Sequence, residues 1–376
     1  HRRGARLVYP AAVAQGPLMV SPRSALTAIG RQFRPLLDGW GNALATLAIL
    51  VTACVLLPDV FEWSILRADW QPDAERCRAL LGTGACWGVI VEKYPLILFG
   101  RYPFDQHWRP ALACGLLLAA LWLAGSGRLR VRPALALLSG ALLGFLALLH
   151  GGGLGLPIVD SQLWGGLPLT LLLATGGMAG ALPLGILLAL GRRSRLPLLR
   201  SCCAFYIELV RGVPMISVLF VAAFLFPLFL PDRAGGSALW RVLPAIVGFA
   251  AAYLAEVVRG GLQSVPAGQG DAAAALGLSR WQCLRHVILP QALRAALPAL
   301  VNTFIGLFKD VSLVTVVSLY ELTGALTLAL SGDAQWRAFY LEGYLFIGLI
   351  YWLGCLALSN FGRRLERRLQ YSSGDC

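Results

Sequence analysis

Lysine is nearly missing from this 376-residue sequence: Lys93 and Lys309 are its only two, and every other basic residue is arginine. Together with abundant alanine, leucine and glycine, that bias reads as coding from a GC-rich genome. Charge of either sign is thin as well, at 14% of residues. Soluble domains carry about 25%, so an ordinary water-soluble globule is excluded. The net charge of +13 invites a nucleic-acid reading. The arginines, however, sit at the ends of apolar runs, where membrane topology accounts for them, and no nucleic-acid partner is expected. No G-x-x-x-x-G-K-S/T run occurs, so the chain lacks the phosphate-cradling loop needed to hydrolyse ATP by that route. No Cys/His spacing fits a metal ion, and His107, His150 and His286 are scattered without Ser-His-Asp or paired-carboxylate partners. Neither catalysis nor a resident cofactor is expected. No compact apolar stretch with a small-residue cleavage site follows Arg2, Arg3 and Arg6, so no cleavable signal peptide is expected. His1 is not an initiator methionine, and a few residues are expected to precede it.

What the sequence has instead is long apolar runs. A membrane-crossing helix needs about 20 such residues. Eight stretches are predicted to cross: 39–57, 110–127, 133–149, 167–191, 213–230, 242–258, 295–311 and 339–361. Counting Lys and Arg on alternate sides with the N-terminus inside gives 22 on the inner segments and nine on the outer ones. Six of those nine lie in the long 57–110 loop, where the rule has little force. Both termini are therefore expected in the cytoplasm. Residues 1–150, with three spans and one long outer loop, read as an accessory; a Gly-rich joint at 150–155 leads into five closely spaced spans over 151–376, which read as the machine.

Cysteines follow the same map. Cys54, Cys114 and Cys355 fall within spans, and Cys202, Cys203, Cys283 and Cys376 on the reducing inner side. Only Cys77 and Cys86 share the outer loop, where an oxidising compartment permits a bridge; they form either a disulfide or two free thiols in a packed loop. Trp63, Trp70, Trp87 and Trp108 suit an aromatic belt at the interface or a shelf for a partner.

The inner loop 259–294 is the longest on its side. Gly260, Gly261, Pro266, Gly268 and Gly270 are predicted to break the chain, after which Asp271 opens a short alanine-faced helix through Leu276. An acidic residue suits a helix's first turn, and Gly277 suits the position just past its end. Ser279 suits the N-cap of a second short helix. A small-faced helix held between turns fits a groove on another protein; the alternative is a surface helix with no partner.

This stretch resembles the signature loop of ABC-importer permeases, E-A-A-x3-G-x9-I-x-L-P. Asp271, Ala272, Ala273, Gly277, Leu289 and Pro290 fall at its spacing, with Val287 in the Ile place and Asp for Glu at the start. Segments 206–214 (YIELVRGVP), 252–261 (AYLAEVVRGG) and 308–313 (FKDVSL) look like segments of the polar amino-acid uptake branch. The likeness covers about 160–370, and the three-span extension is similar to that of the M-type subunit of general L-amino acid permeases. The resemblance implies an all-α fold whose last five spans form a type I importer core. It also implies that the 271–290 residues dock onto a separate ATPase, which binds ATP and Mg. The implied partners are two ATPase subunits, a second and related permease chain in a heterodimer, a periplasmic amino-acid-binding protein, and membrane lipid.

Ionisable residues within spans are costly and point to function. Glu256 with Arg259, and Glu208 with Arg211, stand three residues apart, a spacing that lets each pair lie along one helix face and steady the loop. Lys309 and Asp310 end the seventh span, with Ser312, Thr315 and Ser318 in the apolar stretch before Glu321. An amino acid carries an ammonium and a carboxylate, so Lys309, Asp310 and Ser312 are candidates for a substrate path; anchoring the span at the interface is the alternative. An ion-coupled secondary transporter would show inverted repeats, and no second copy of 151–376 is visible. An importer of another solute, such as an opine, stays open.

Overall fold

The computed structural model describes residues 38–153, 155–229 and 237–371. Arg2, Arg3, Arg6, Cys376 and the end of the 213–230 run lie outside those residues. The described residues fold almost wholly into helices. Contacts divide the chain into two compact units, one formed by His1–Ala68 with Leu81–Ala85 and the other by Asp69–Leu80 with Cys86–Cys376.

In the first unit, α1 (Trp40–Phe61) continues through a wider π turn, Glu62–Leu66, to make a 27-residue apolar helix. None of its α1 residues is buried. Side chains this apolar are solvated by hydrocarbon, and a membrane segment needs no protein partner to satisfy its backbone.

In the second unit, α2 (Ala74–Ala79) is capped by Asp73, whose carboxylate accepts from the Glu75 and Arg76 backbone N–H groups. Cys77 is bonded to Cys86, with Cα atoms 5.4 Å apart, and the bridge is fully buried. It ties α2 to the start of α3 (Gly88–Phe99), whose 12 residues are too few to cross a bilayer. α3 packs with the short helix α13 (Leu322–Ser331) in a core of Val89, Ile97, Leu322, Leu326, Leu330 and Phe339. The ammonium of Lys93 meets Asp333 at 2.8 Å and holds its carboxyl below the usual carboxylate range.

The long helices follow: α4 (Trp108–Gly125), α5 (Val131–His150), α6 (Gly166–Arg192), α9 (Ala238–Ser264), α12 (Leu289–Asp310) and α14 (Tyr340–Tyr371). Between α6 and α9 run α7 (Pro197–Gly212) and α8 (Met215–Phe220). Between α9 and α12 lie α10 (Gly268–Ala275) and α11 (Arg280–Cys283). Among the described residues, seven helices are long and apolar enough to cross a membrane, or up to eight if one bent pair counts as a span.

That pair bears on the predicted fifth span at 213–230, whose described residues begin at the bend. Helix Pro197–Gly212 and the segment Met215–Phe229 meet at 105°. The cause is local: Val213 precedes a proline and is extended, at φ −108° and ψ 137°, because a proline ring clashes with a helical residue before it. The loop predicted at 259–294 is also largely helix. α9 runs to Ser264 through Gly260 and Gly261, and an apolar helical segment extends over Arg280–Val317. Gly261 does not break the chain; it admits α12, since a Cβ there would stand 2.3 Å from the Ala292 carbonyl. Pro290 sits in α12's first turn, where a missing N–H costs nothing. The outer helix bounds shift likewise, the last apolar segment reaching Arg337–Arg368.

Helices on the two sides of residue 150 share a core. Tyr102, Cys114, Leu117, Phe145 and Leu149 belong to one buried cluster with α6 and α9. Arg109, fully buried, bonds the carbonyls of Leu148 and Pro157 and sits over the Tyr102 ring. A buried guanidinium needs acceptors, and the Leu148 carbonyl near the end of α5, the Pro157 carbonyl beyond it and Gln106 Oε1 supply them.

Small residues set how closely the central pair α6 and α9 approach, as at membrane helix contacts generally. A Cβ on Gly185 would lie 2.8 Å from the Leu254 Cβ and 3.1 Å from the Ala251 carbonyl, whereas one on Gly144 meets nothing within 4 Å. Gly185→Ala should cost about 1–3 kcal/mol, the range for overpacking. It should lower the melting temperature of the purified chain, while Gly144→Ala leaves it level or raises it. Equal melting of the two variants would contradict this account of the helix pair.

Candidate functional site

The C-terminal half of α9 carries a knot of charge. Glu256 is the hub: it accepts from Arg192 of α6 at 2.7 Å and from Arg259 of its own helix at 2.8 and 3.1 Å, and Arg211 of α7 stands 3.6 Å away. A second arm of Arg192 reaches Glu208 at 2.8 Å. The predicted Glu256–Arg259 pair is therefore present. The predicted Glu208–Arg211 pair is not: Glu208 turns to Arg192, and Arg211 turns to Glu256 and stacks over Tyr253. The reason is burial. The Glu256 side chain is 16% exposed and Glu208 66%, so the shielded carboxylate draws the cations more strongly.

Beyond the knot, α9 ends and α10 begins. α10 closes with two backbone bonds, Leu278 N–H to the Ala273 carbonyl and Gly277 N–H to that of Ala274. That paired closure requires a left-handed residue at Gly277, whose φ is +77°. Ser279 and Gln282 then form a reciprocal capping box that starts α11. Gln291 of α12 bonds Gln269 of α10 at 3.2 Å. α10 starts at Gly268, three residues before the predicted Asp271, because the glycines there take helical conformations.

The exposed face of this hairpin is not the predicted one in every position. Asp271, Ala272 and Gly277 are exposed, and so is Pro290, while Leu289 is half-buried. Ala273 is 3% exposed and packs inward, which removes it from any contact surface. Two residues the motif did not single out stand in its place: Leu276, 81% exposed, and Trp281, 64% exposed. An exposed leucine just before a helix-ending glycine was the available signal.

Lys309 and Asp310 end α12 and are both exposed, and Ser312 is half-buried. Among the described residues no ion pair reaches Lys309 or Asp310, and neither lines the described cavities.

The start of α6 holds a network that sequence reasoning passed over. Glu321 is fully buried and caps α13, accepting from the Thr323 and Gly324 N–H groups. Its other oxygen accepts from the Tyr351 hydroxyl at 2.6 Å, with Thr170 Oγ1 3.2 Å away. Burial pushes its carboxyl up, and the Tyr351 hydroxyl and the two N–H groups pull the other way. Next to it, Gly166 has φ +60° and donates to the Tyr320 carbonyl. A Cβ there would stand 2.2 Å from the Leu98 carbonyl, so a glycine is needed where α3 meets α6. α6, α13 and α14 are thus pinned at one carboxylate. A lone glutamate opening an apolar run was the only trace of it in the sequence.

A bundle of apolar helices with a charged knot and a projecting helical hairpin defines a membrane transport subunit. The chain matches the family of binding-protein-dependent transport system inner membrane components over residues 181–371, and it belongs to that family. It is similar to the inner membrane amino-acid ABC transporter permease protein YhdY of Escherichia coli, at 42% identity over 89% of this chain and 90% of that one. It is also similar to the glutamate/glutamine/aspartate/asparagine transport system permease protein BztC of Rhodobacter capsulatus, at 35% identity over 93% and 95% of the two chains. The probable amino-acid permease protein YxeN of Bacillus subtilis matches at 36% identity over 54% of this chain and 89% of its own. The chain is a permease subunit of the inner membrane, not an enzyme.

Glu256→Ala leaves the Arg192, Arg211 and Arg259 guanidiniums without their common acceptor, whereas Arg211→Ala removes one peripheral arm. Hydrogen bonds to charged groups are worth about 1.5–3 kcal/mol, so Glu256→Ala should lower the melting temperature well below that of Arg211→Ala. Equal losses would show that Glu256 is not the hub.

Proposed function

We propose that this chain is the moving membrane half of an importer that carries L-amino acids inward, driven by a separate ATPase. Amino-acid transport in the names of YhdY and BztC supports the substrate class. In this reading both termini face the cytoplasm. The hairpin α10–α11 inserts into a groove of one ATPase subunit, with Asp271, Ala272, Leu276, Gly277 and Trp281 in the contact. Leu289 and Pro290 fix where the hairpin joins α12.

One hairpin gives one ATPase contact, so a complete importer pairs this chain with a second, related permease over two ATPases that hold ATP and Mg. A periplasmic binding protein delivers the amino acid. ATP draws the ATPases together, the hairpins move inward, and the path opens outward; hydrolysis resets it. Lys309, Asp310 and Ser312 face the path between the two permeases, meeting the substrate's charged ends. Residues 151–376 form the core. Residues 1–150 form an added module, consistent with the shorter YxeN, most of whose length matches only about half of this chain.

The single observation that carries the docking reading is the exposure of Leu276 and Trp281 on a hairpin whose first helix is mostly alanine and glycine. Apolar side chains on a cytoplasmic surface mark a contact. Leu276→Glu removes a central anchor, expected to cost about 2 kcal/mol of binding, or about a thirtyfold loss of affinity. ATPase co-purification and ATP-driven uptake should both fall while the chain still folds. Undiminished ATPase binding by this variant would contradict the assignment.

A further inference from the structure

The Glu256 knot leaves one face of α7 unaccounted for. α7 follows α6 across a short turn and lies in a stretch, 192–211, that holds five arginines and one glutamate. Its apolar residues fall on two faces. On one, Ile207 is fully buried in the bundle core, and Cys203 packs close against Gly191 of α6. On the other, Leu198, Cys202, Phe205 and Leu209 are all exposed, Leu198 at 76% and Phe205 at 68%. Their spacing of four, three and four residues puts them along a single helical stripe. Arg200, Glu208 and Arg211 take the remaining arc.

The bend after α7 fixes its direction. Arg211 stands 3.6 Å from Glu256 in the later part of α9, and the Ala223 carbonyl, beyond the bend, accepts from Arg241 in α9's first turn at 3.4 Å. The segment Met215–Phe229 therefore runs alongside α9, which is long and apolar enough to cross the membrane. Because α7 meets that segment at 105°, it lies across the end of the bundle, in the plane of the membrane boundary. A helix in that plane, with an uncovered apolar stripe and a basic arc, sinks one face into lipid while its charges stay among the headgroups.

The charges select the kind of lipid. Arg192 is committed to Glu208 and Glu256, and Arg211 to Glu256. Arg193 spends one arm on the Leu262 carbonyl. Arg195 and Arg200 are exposed, and among the described residues no carboxylate pairs with either. A phosphate matches the guanidinium fork in shape, and a headgroup of net negative charge attracts arginine at the boundary where a zwitterionic one does not.

We propose that α7 is an interfacial helix that docks on anionic phospholipid, with Leu198, Cys202, Phe205 and Leu209 at the acyl boundary and Arg195 and Arg200 on the headgroups. The proposal rests on the chain's place in the membrane and stands apart from ATP-driven import. It gives the Glu256 knot a second anchor, since α7 reaches that carboxylate through Arg211. The rival occupant of the stripe is a second permease chain, and measurement separates the two.

The test uses the full-length chain with the subunits that co-purify with it. Cys202 is exposed; it is labelled with a nitroxide in mild detergent, and the sample is reconstituted in vesicles of phosphatidylcholine and phosphatidylglycerol. The signal of a matched Cys202→Ala sample is subtracted. Oxygen concentrates in hydrocarbon and a nickel chelate stays in water, so collisions with each report where the label sits. Frequent oxygen collisions and rare nickel collisions are expected, at a depth of about 5–10 Å into the headgroup and acyl boundary. Rare collisions with both, or a Cys202 that does not label in detergent, would overturn the proposal in favour of a covering protein chain. Frequent nickel collisions would overturn it in favour of a solvated helix.

A fluorophore on the same thiol reads the lipid's charge. Quenching by phosphatidylglycerol with a nitroxide on its acyl chain is compared with quenching by the matching phosphatidylcholine at equal mole fraction. The anionic lipid should associate more strongly, and its advantage should fall about fivefold for each replacement, Arg195→Gln and Arg200→Gln. Equal quenching by the two lipids in the parent chain, or a preference that both replacements leave unmoved, would overturn the assignment to anionic lipid.

Discussion

Glu256 is the point on which one end of the helix bundle depends. Its carboxylate sits at the end of α9 and gathers arginines from α6, α7 and α9. A carboxylate largely withdrawn from solvent must be compensated, or the helix ends that carry the guanidiniums would separate. With that compensation, three helices finish at one fixed point a few residues before α9 gives way to α10. Any displacement of α10 is then passed to helices that cannot move independently. A lone ion pair on a solvated surface does little for stability; a shared acceptor across three elements constrains geometry.

The other end is organised by the same physics with different residues. Glu321 is buried without a cation and is satisfied by hydroxyl and N–H donors from α6, α13 and α14. Between these two carboxylates, α6 and α9 are held close by glycine and alanine rather than by polar contacts. In hydrocarbon there is no hydrophobic drive between helices, so close approach of backbones supplies the attraction. The pair is pinned together at the Glu256 end, and α6 alone is pinned again at Glu321.

Much of this was legible beforehand, and what was missed has identifiable causes. Hydropathy and the distribution of arginine located seven of the long apolar helices, because a lipid environment imposes a simple constraint on composition. The signature spacing located the α10 hairpin, including the need for glycine at 277. The predicted fifth span starts at the bend made at Pro214, and run length carries no information on how sharply the chain enters it. Gly261 was misread as a breaker because glycine serves equally to admit a neighbouring helix, and Gly260 beside it simply continues α9. Glu208–Arg211 was misread because local spacing does not reveal the competing Arg192, which arrives from another helix. The Glu321 network joins residues 170, 321 and 351, and no local pattern connects positions so far apart. The disulfide partners Cys77 and Cys86 were identified by compartment alone, with free thiols as the alternative, and the structure bonds them.

The central claim is that the hairpin α10–α11 is the surface through which a separate ATPase moves this chain. Hydrogen exchange of backbone amides over residues 265–288, measured on the permease alone and on the assembled importer, addresses it most directly. The account predicts that assembly slows exchange in this segment more than in the loops on the opposite face of the membrane. Exchange that is unchanged over 265–288, with protection appearing elsewhere on the cytoplasmic face, would contradict it.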